Sequence, residues 1–137
     1  MTGVLLNQFG AVLTFAIELE SKHIVYYQND KLRLNFPKLI DEFESRIKLA
    51  QRHIKNLERS RRENITEITL EPIEGLKSDN YHIDQEEFSL EEIQANHRSL
   101  YQFYEESGPK INVLETKRLF RKCCSDHKNI LEQRLES

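Results

Sequence analysis

The sequence predicts an all-α fold, a four-helix bundle built as two antiparallel helical hairpins joined by a long crossover. Three observations predict it. Glycine and proline are scarce, four and three in 137 residues, and several fall where periodic segments end. Apolar residues recur at three- and four-residue spacing through four long stretches. The connections inside each half are short, whereas the one between the halves is long.

The first helix is expected over about 4–28. The second is expected over about 36–64, with Asn35 as N-cap and Pro37 in its first turn. The third, about 89–107, opens on a capping box of Ser89 with Glu92 and a hydrophobic staple of Phe88 with Ile93, and Gly108-Pro109 stops it. The fourth, about 112–135, starts at Asn112 with Glu115 three residues on. The crossover, 65–88, lacks helical periodicity and is too long for a tight turn, so it is expected to pack along the bundle. Its stretch "ITEITLEPI" alternates enough to be extended. Two hairpins joined by one long crossover is the ferritin-like order of helices, and 1–137 is read as a single domain of that type.

Composition removes several function classes. Net charge is −3, and the most basic run, "KLAQRHIKNLERSRREN", is broken by Glu58 and Glu63. It reads as a solvated helix face, so no nucleic-acid partner is expected. No apolar run approaches the roughly 20 residues of a membrane span, and the N-terminus lacks the pattern of a signal peptide, so no membrane partner is expected. The two cysteines, Cys123 and Cys124, are adjacent and make no useful staple, which points to a reducing, cytoplasmic compartment. GxGxxG, Walker A, CxxC and GxSxG motifs are absent.

The chemistry lies on the inner faces. At about 100° per residue, Leu5, Phe9, Val12, Leu13, Ala16 and Tyr27 form one stripe of the first helix, and Glu20 and His23 fall within it. A buried glutamate is costly unless paired, protonated or bound to a metal. His97 lies mid-stripe on the third helix, among Leu90, Ile93, Leu100, Tyr101 and Tyr104. His127 lies on the fourth, with Val113, Leu114, Phe120, Cys124, Leu131 and Leu135. His53 flanks the second stripe, which runs from Phe36 through Phe43, Ile47, Ala50 and Ile54 to Leu57. His82 stands alone in the crossover. One histidine on an apolar face is usually a satisfied core residue; one on each of four helices beside an inward glutamate suggests a common polar centre.

The halves also repeat. Tyr27 follows Glu20 by seven residues, as Tyr104 follows His97. "RHIKNLER" around His53 is echoed by "DHKNILEQ" around His127, and a glutamate follows each histidine by five residues. Such a repeat predicts a pseudo-twofold bundle with Glu20, His53, His97 and His127 in one layer.

"FAIELESKHIVYYQ" resembles the first helix of rubrerythrin-like, ferritin-like proteins, with an inward glutamate followed by an aromatic-Tyr pair. The resemblance spans the four helices. It implies two irons or a related metal pair, with oxidase, peroxidase or iron-storage chemistry. Under it Glu20 takes the helix-one ligand position, and His53 and His127 take the histidines of the two E-x-x-H motifs. Ala50 and Cys124 stand where those motifs carry glutamates, and His97 stands at the helix-three glutamate. One carboxylate of four argues against a two-iron centre. The remaining donors, Glu20, His53, His97 and His127 with His23 as a further option, suit one transition-metal ion, with iron or zinc foremost. Cys124 reads as a small apolar core residue rather than a donor. Tyr27 and Tyr104 read either as partners of the ligands or as half-buried bundle aromatics.

The sequence therefore supports a ferritin-like protein with a mononuclear Glu/His metal site, redox chemistry being what the resemblance implies if there is turnover. The alternative is a degenerate, metal-free bundle serving as a structural or protein-interaction module. A weaker third reading, a nucleic-acid adaptor using the basic side of helix two, runs against the net charge. A homodimer is expected, on a face the sequence does not specify.

Overall fold

The computed structural model describes residues 8–63, 73 and 75–135. Among them are five α-helices: α1 (Phe9–Gln28), α2 (Asp30–Asn35), α3 (Ile40–Glu63), α4 (Leu90–Ser107) and α5 (Leu114–Glu132). Short 3-10 turns occupy Pro37–Leu39, Ser78–Asn80 and Gly108–Lys110. Residues 4–7 of the expected first helix and 65–72 of the crossover, with nearly all of "ITEITLEPI", lie outside the described residues.

Two helix starts differ from expectation. The second long helix begins at Ile40, not near Phe36, because Pro37 disfavours helical backbone at the residue before it, and Phe36 sits at φ −134°, ψ 63°. The residues ahead of it form the separate helix α2, capped by the Asn29 side chain, which accepts from the Lys31 amide at 2.8 Å. Asn35, the expected cap, instead donates to the Phe88 carbonyl at 3.1 Å. Helix α5 starts after Val113 without a side-chain cap, so the Asn112–Glu115 box does not form. The Ser89 cap does form, its hydroxyl accepting from the Glu92 amide at 3.1 Å.

Side-chain pairs fix the helix directions. Between α1 and α3, Thr14 meets Arg61, Glu20 meets His53 and Tyr27 meets Arg46, so the two run antiparallel. Between α1 and α4, Tyr27 meets His97 and Glu20 meets Tyr104, again antiparallel. Between α3 and α5, His53 meets Asp126 and Ser60 meets Thr116. Hence α3 and α4 point the same way, and the chain between them must return along the bundle's length. Its described part does so against α1. Tyr81 packs on Phe15, Gln85 donates to the Lys22 carbonyl at 2.7 Å, and Tyr26 donates to the Glu87 carbonyl at 2.8 Å. Asn96 pins this run by bonding both the amide and the carbonyl of Asp84, at 2.9 and 3.2 Å.

The apolar core is in two parts. One gathers Phe9 to Leu19 of α1 with Leu57, Leu100, Phe103, Phe120 and Cys123. The other gathers Tyr26, Tyr27, Leu32, Phe43, Ile47 and Ile93. Between them along α1 lie Glu20 and His23, both buried. On α5 the buried positions are Thr116, Phe120, Cys123, His127 and Ile130, a narrow helical face that lies to one side of the stripe traced by Leu114, Cys124, Leu131 and Leu135. Leu114 is therefore 58% exposed, and it is Cys123, not Cys124, that faces inward. On α3 the buried face likewise lies to one side of the apolar stripe and takes in His53, Arg46 and Ser60.

Candidate metal centre

Three side chains from three helices converge in the polar layer. Glu20 Oε2 lies 2.9 Å from His53 Nδ1 and 3.0 Å from His127 Nε2. The ligand atoms of all three residues lie within 4.8 Å of one another, and all three are buried. The Tyr104 hydroxyl donates to the same Oε2 at 2.7 Å. The other carboxylate oxygen, Oε1, is buried and has no hydrogen-bond partner.

His97 and His23 stand behind this group. His97 places Nδ1 at 3.3 Å from His127 Nδ1 and Nε2 at 2.8 Å from the Tyr27 hydroxyl. Tyr27 in turn accepts from Arg46 Nη1 at 3.0 Å, and Arg46 Nε donates to Glu42 at 2.8 Å. His23 packs its ring edge-on to His97, centroids 4.1 Å apart, and its Nε2 is buried without a partner. The remaining histidine, His82, is exposed in the crossover.

The residue that sequence reasoning missed is Asp126. Its Oδ2 lies 2.9 Å from His53 Nε2, while its Oδ1 takes the Lys122 ammonium at 2.7 Å. In the sequence, Lys122 and Asp126 look like an ordinary i,i+4 surface pair; the only hint was adjacency to His127.

The partners fix the protons. His53 lies between two carboxylates, so both ring nitrogens donate and the ring is an imidazolium. Burial alone would lower its pKa, but the bonds to Glu20 and Asp126 raise it. Burial would raise the Glu20 carboxyl, yet the His127 and His53 rings hold it well below the usual carboxylate range. From Arg46 the donors then run one way: Arg46 to Tyr27, Tyr27 to His97 Nε2, His97 Nδ1 to His127 Nδ1, and His127 Nε2 to Glu20. His97 and His23 are neutral. Burial, then the neighbouring rings, push His97 well down and take His23 to about 3.

The sequence repeat acquires a physical form here. Tyr27 reaches across to His97, and Tyr104 reaches across to Glu20, so each half's tyrosine serves the other half's layer residue. Both rings are buried, with relative exposures of 1%, which removes the reading of them as half-buried edge aromatics. Tyr104→Phe should lower stability by about 1.5–3 kcal/mol, the range for a bond to a charged acceptor, as read by urea unfolding.

A second acidic group, Asp84, Glu87 and Glu92, also clusters. Asp84 Oδ1 already accepts from the Glu86 and Glu87 amides at 2.7 and 3.0 Å, so this group closes a turn. No family model matches the chain, no curated protein matches it and no solved structure matches it.

Proposed function

We propose that this chain is a ferritin-like bundle whose function is to hold one transition-metal ion, zinc or iron(II), between Glu20, His53 and His127. The observation that carries this reading is the anchoring of the donors. Each imidazole facing Glu20 has its far nitrogen fixed, His53 by Asp126 and His127 by His97. Metal-binding histidines are held as His53 is, with the outer ring nitrogen donating to a carboxylate, because that bond sets the tautomer and the ring orientation. The unpartnered Glu20 Oε1 adds a second carboxylate oxygen to the donor set. Two histidines and one carboxylate leave coordination positions open, the pattern of catalytic zinc and of non-haem iron(II). A bound ion of this class supplies Lewis acidity, or redox chemistry where it is iron. The parallel course of α3 and α4 supports the ferritin-like order, and a single inward carboxylate among the described residues favours one ion over two.

Each residue then has a task. Glu20 provides negative charge in an apolar bundle. His53 must give up its Nδ1 proton to become a donor; His127 must pass its Nε2 proton to Nδ1, and His97 must pass its Nδ1 proton to Nε2 so that it accepts from His127. Loading should therefore release about one proton per ion, and affinity should rise with pH. Titrating zinc into weakly buffered protein with a pH indicator reads the release directly; zinc bound with no proton released contradicts this assignment. Asp126→Asn keeps the shape but removes the anchoring charge, and should weaken zinc by about 10–100-fold in a chelator competition.

A second reading is a metal-free polar layer. The 2.9 and 3.0 Å contacts to Glu20 are hydrogen-bond lengths, and the one-way donor order satisfies them without an ion. Cobalt(II) separates the two readings. Visible d–d bands that saturate at one equivalent, and vanish in His127→Ala, support the metal site. No bands at any cobalt concentration support the structural layer.

A further inference from the structure

We propose that the groove between α4 and α5 binds a small amphipathic anion, a carboxylate or phosphate carried on a flat apolar body. The groove is a pocket of about 500 Å³, within the size range of small-molecule sites. Tyr101, Pro109 and Cys124 line its apolar side, the buried Tyr104 reaches it only at an edge, and Lys117, Arg121 and Lys128 supply its cations.

Several features favour an anion with an aromatic body. The spacing of Lys117, Arg121 and Lys128 puts all three cations within about 40° of arc on α5, with Cys124 beside them. None of the three forms an ion pair with a described residue, whereas Lys122, one position past Arg121 and around the helix, is held by Asp126. One carboxylate, Glu105, also lines the pocket and accepts from the Tyr101 hydroxyl at 2.5 Å, so three cations face one anion. Tyr101 offers an aromatic surface against which a flat ring can pack while the charge reaches the cations. Arg121 offers the paired N–H donors that planar oxyanions accept.

Tyr104 gives the pocket a second meaning. Its ring lines the pocket and its hydroxyl is bonded to Glu20. One side chain thus separates the groove from the buried centre. The binding proposal does not depend on an ion being there.

The probes are 2-naphthoate and its neutral analogue 2-naphthalenemethanol, titrated into the full chain and followed by amide NMR shifts. Naphthoate should bind saturably and shift amides around Tyr101, Cys124 and Lys128, and the alcohol should bind about tenfold more weakly. The Lys117→Gln/Arg121→Gln protein should lose about tenfold in naphthoate affinity and little for the alcohol. Arg118→Gln, which removes a charge from α5 outside the pocket, should leave naphthoate binding unchanged. The proposal is overturned by absence of saturable binding, by equal binding of acid and alcohol, by shifts that map elsewhere, or by an Arg118→Gln loss as large as that of the pocket variant.

Discussion

Glu20→Ala should take up no transition metal at the bundle centre, and should be less stable than the parent by about 3–5 kcal/mol even in chelator. The carboxylate has no exposed surface and is the acceptor for His53, His127 and Tyr104 at once. Removing it leaves three buried donors unserved and an imidazolium with one counter-charge instead of two. The cost is of the size that follows when one partner of a buried ion pair is deleted. Glu20→Gln separates charge from shape. It keeps the volume and one acceptor oxygen, so it should lose metal as completely but fall less in stability. Urea unfolding of the apo forms gives the comparison; an alanine variant as stable as the parent would show that the carboxylate holds nothing together.

The apo protein should also be unusually sensitive to acid. His23 and His97 are neutral in the fold, with pKa values below the ordinary 6.5, His23 at about 3. Below pH 6.5 the unfolded chain binds protons that the folded chain does not, so stability falls as pH falls. Each such group costs about 1.4 kcal/mol per pH unit until its folded pKa is reached. For His23 alone over two pH units this amounts to about 3 kcal/mol, a large share of a small domain's margin, and His97 acts in the same direction. Glu20 acts in the same direction only below its ordinary 4.5, because its folded pKa is depressed. His53 acts oppositely: its raised pKa stabilises the fold at low pH, and that contribution is lost as pH rises through the folded value. Circular dichroism against pH should show apo unfolding well above pH 4, with His23→Phe moving the midpoint lower. A flat profile down to pH 4 would mean that these rings are not buried neutral.

The inward turn of Glu20 and His23 was legible because the pair falls at helical spacing among Phe9, Val12, Leu13, Ala16 and Tyr27. His97 and His127 were legible for the same reason. Other features were hidden by surface-like patterns. Arg46 with Glu42, and Asp126 with Lys122, are i,i+4 pairs that look solvated in sequence, yet Arg46 is 3% exposed and Asp126 bonds the buried His53. A stripe drawn through apolar residues alone also sits to one side of the buried face when that face carries polar residues such as Arg46, Ser60 and Thr116, which exchanged Cys123 for Cys124 and left His53 on the flank. Which histidines touch Glu20 and which stand behind was not legible at all. That depends on how helices distant in sequence pack, and the helical period carries no such information.

The central claim, that the layer is a metal centre, meets its most direct test in elemental analysis of protein purified without chelator or affinity tag, with Glu20→Gln prepared alongside. The expected result is about one equivalent of zinc or iron per chain in the parent and none in the variant. A parent that carries no metal, and takes up none on titration with zinc or iron(II), would contradict it.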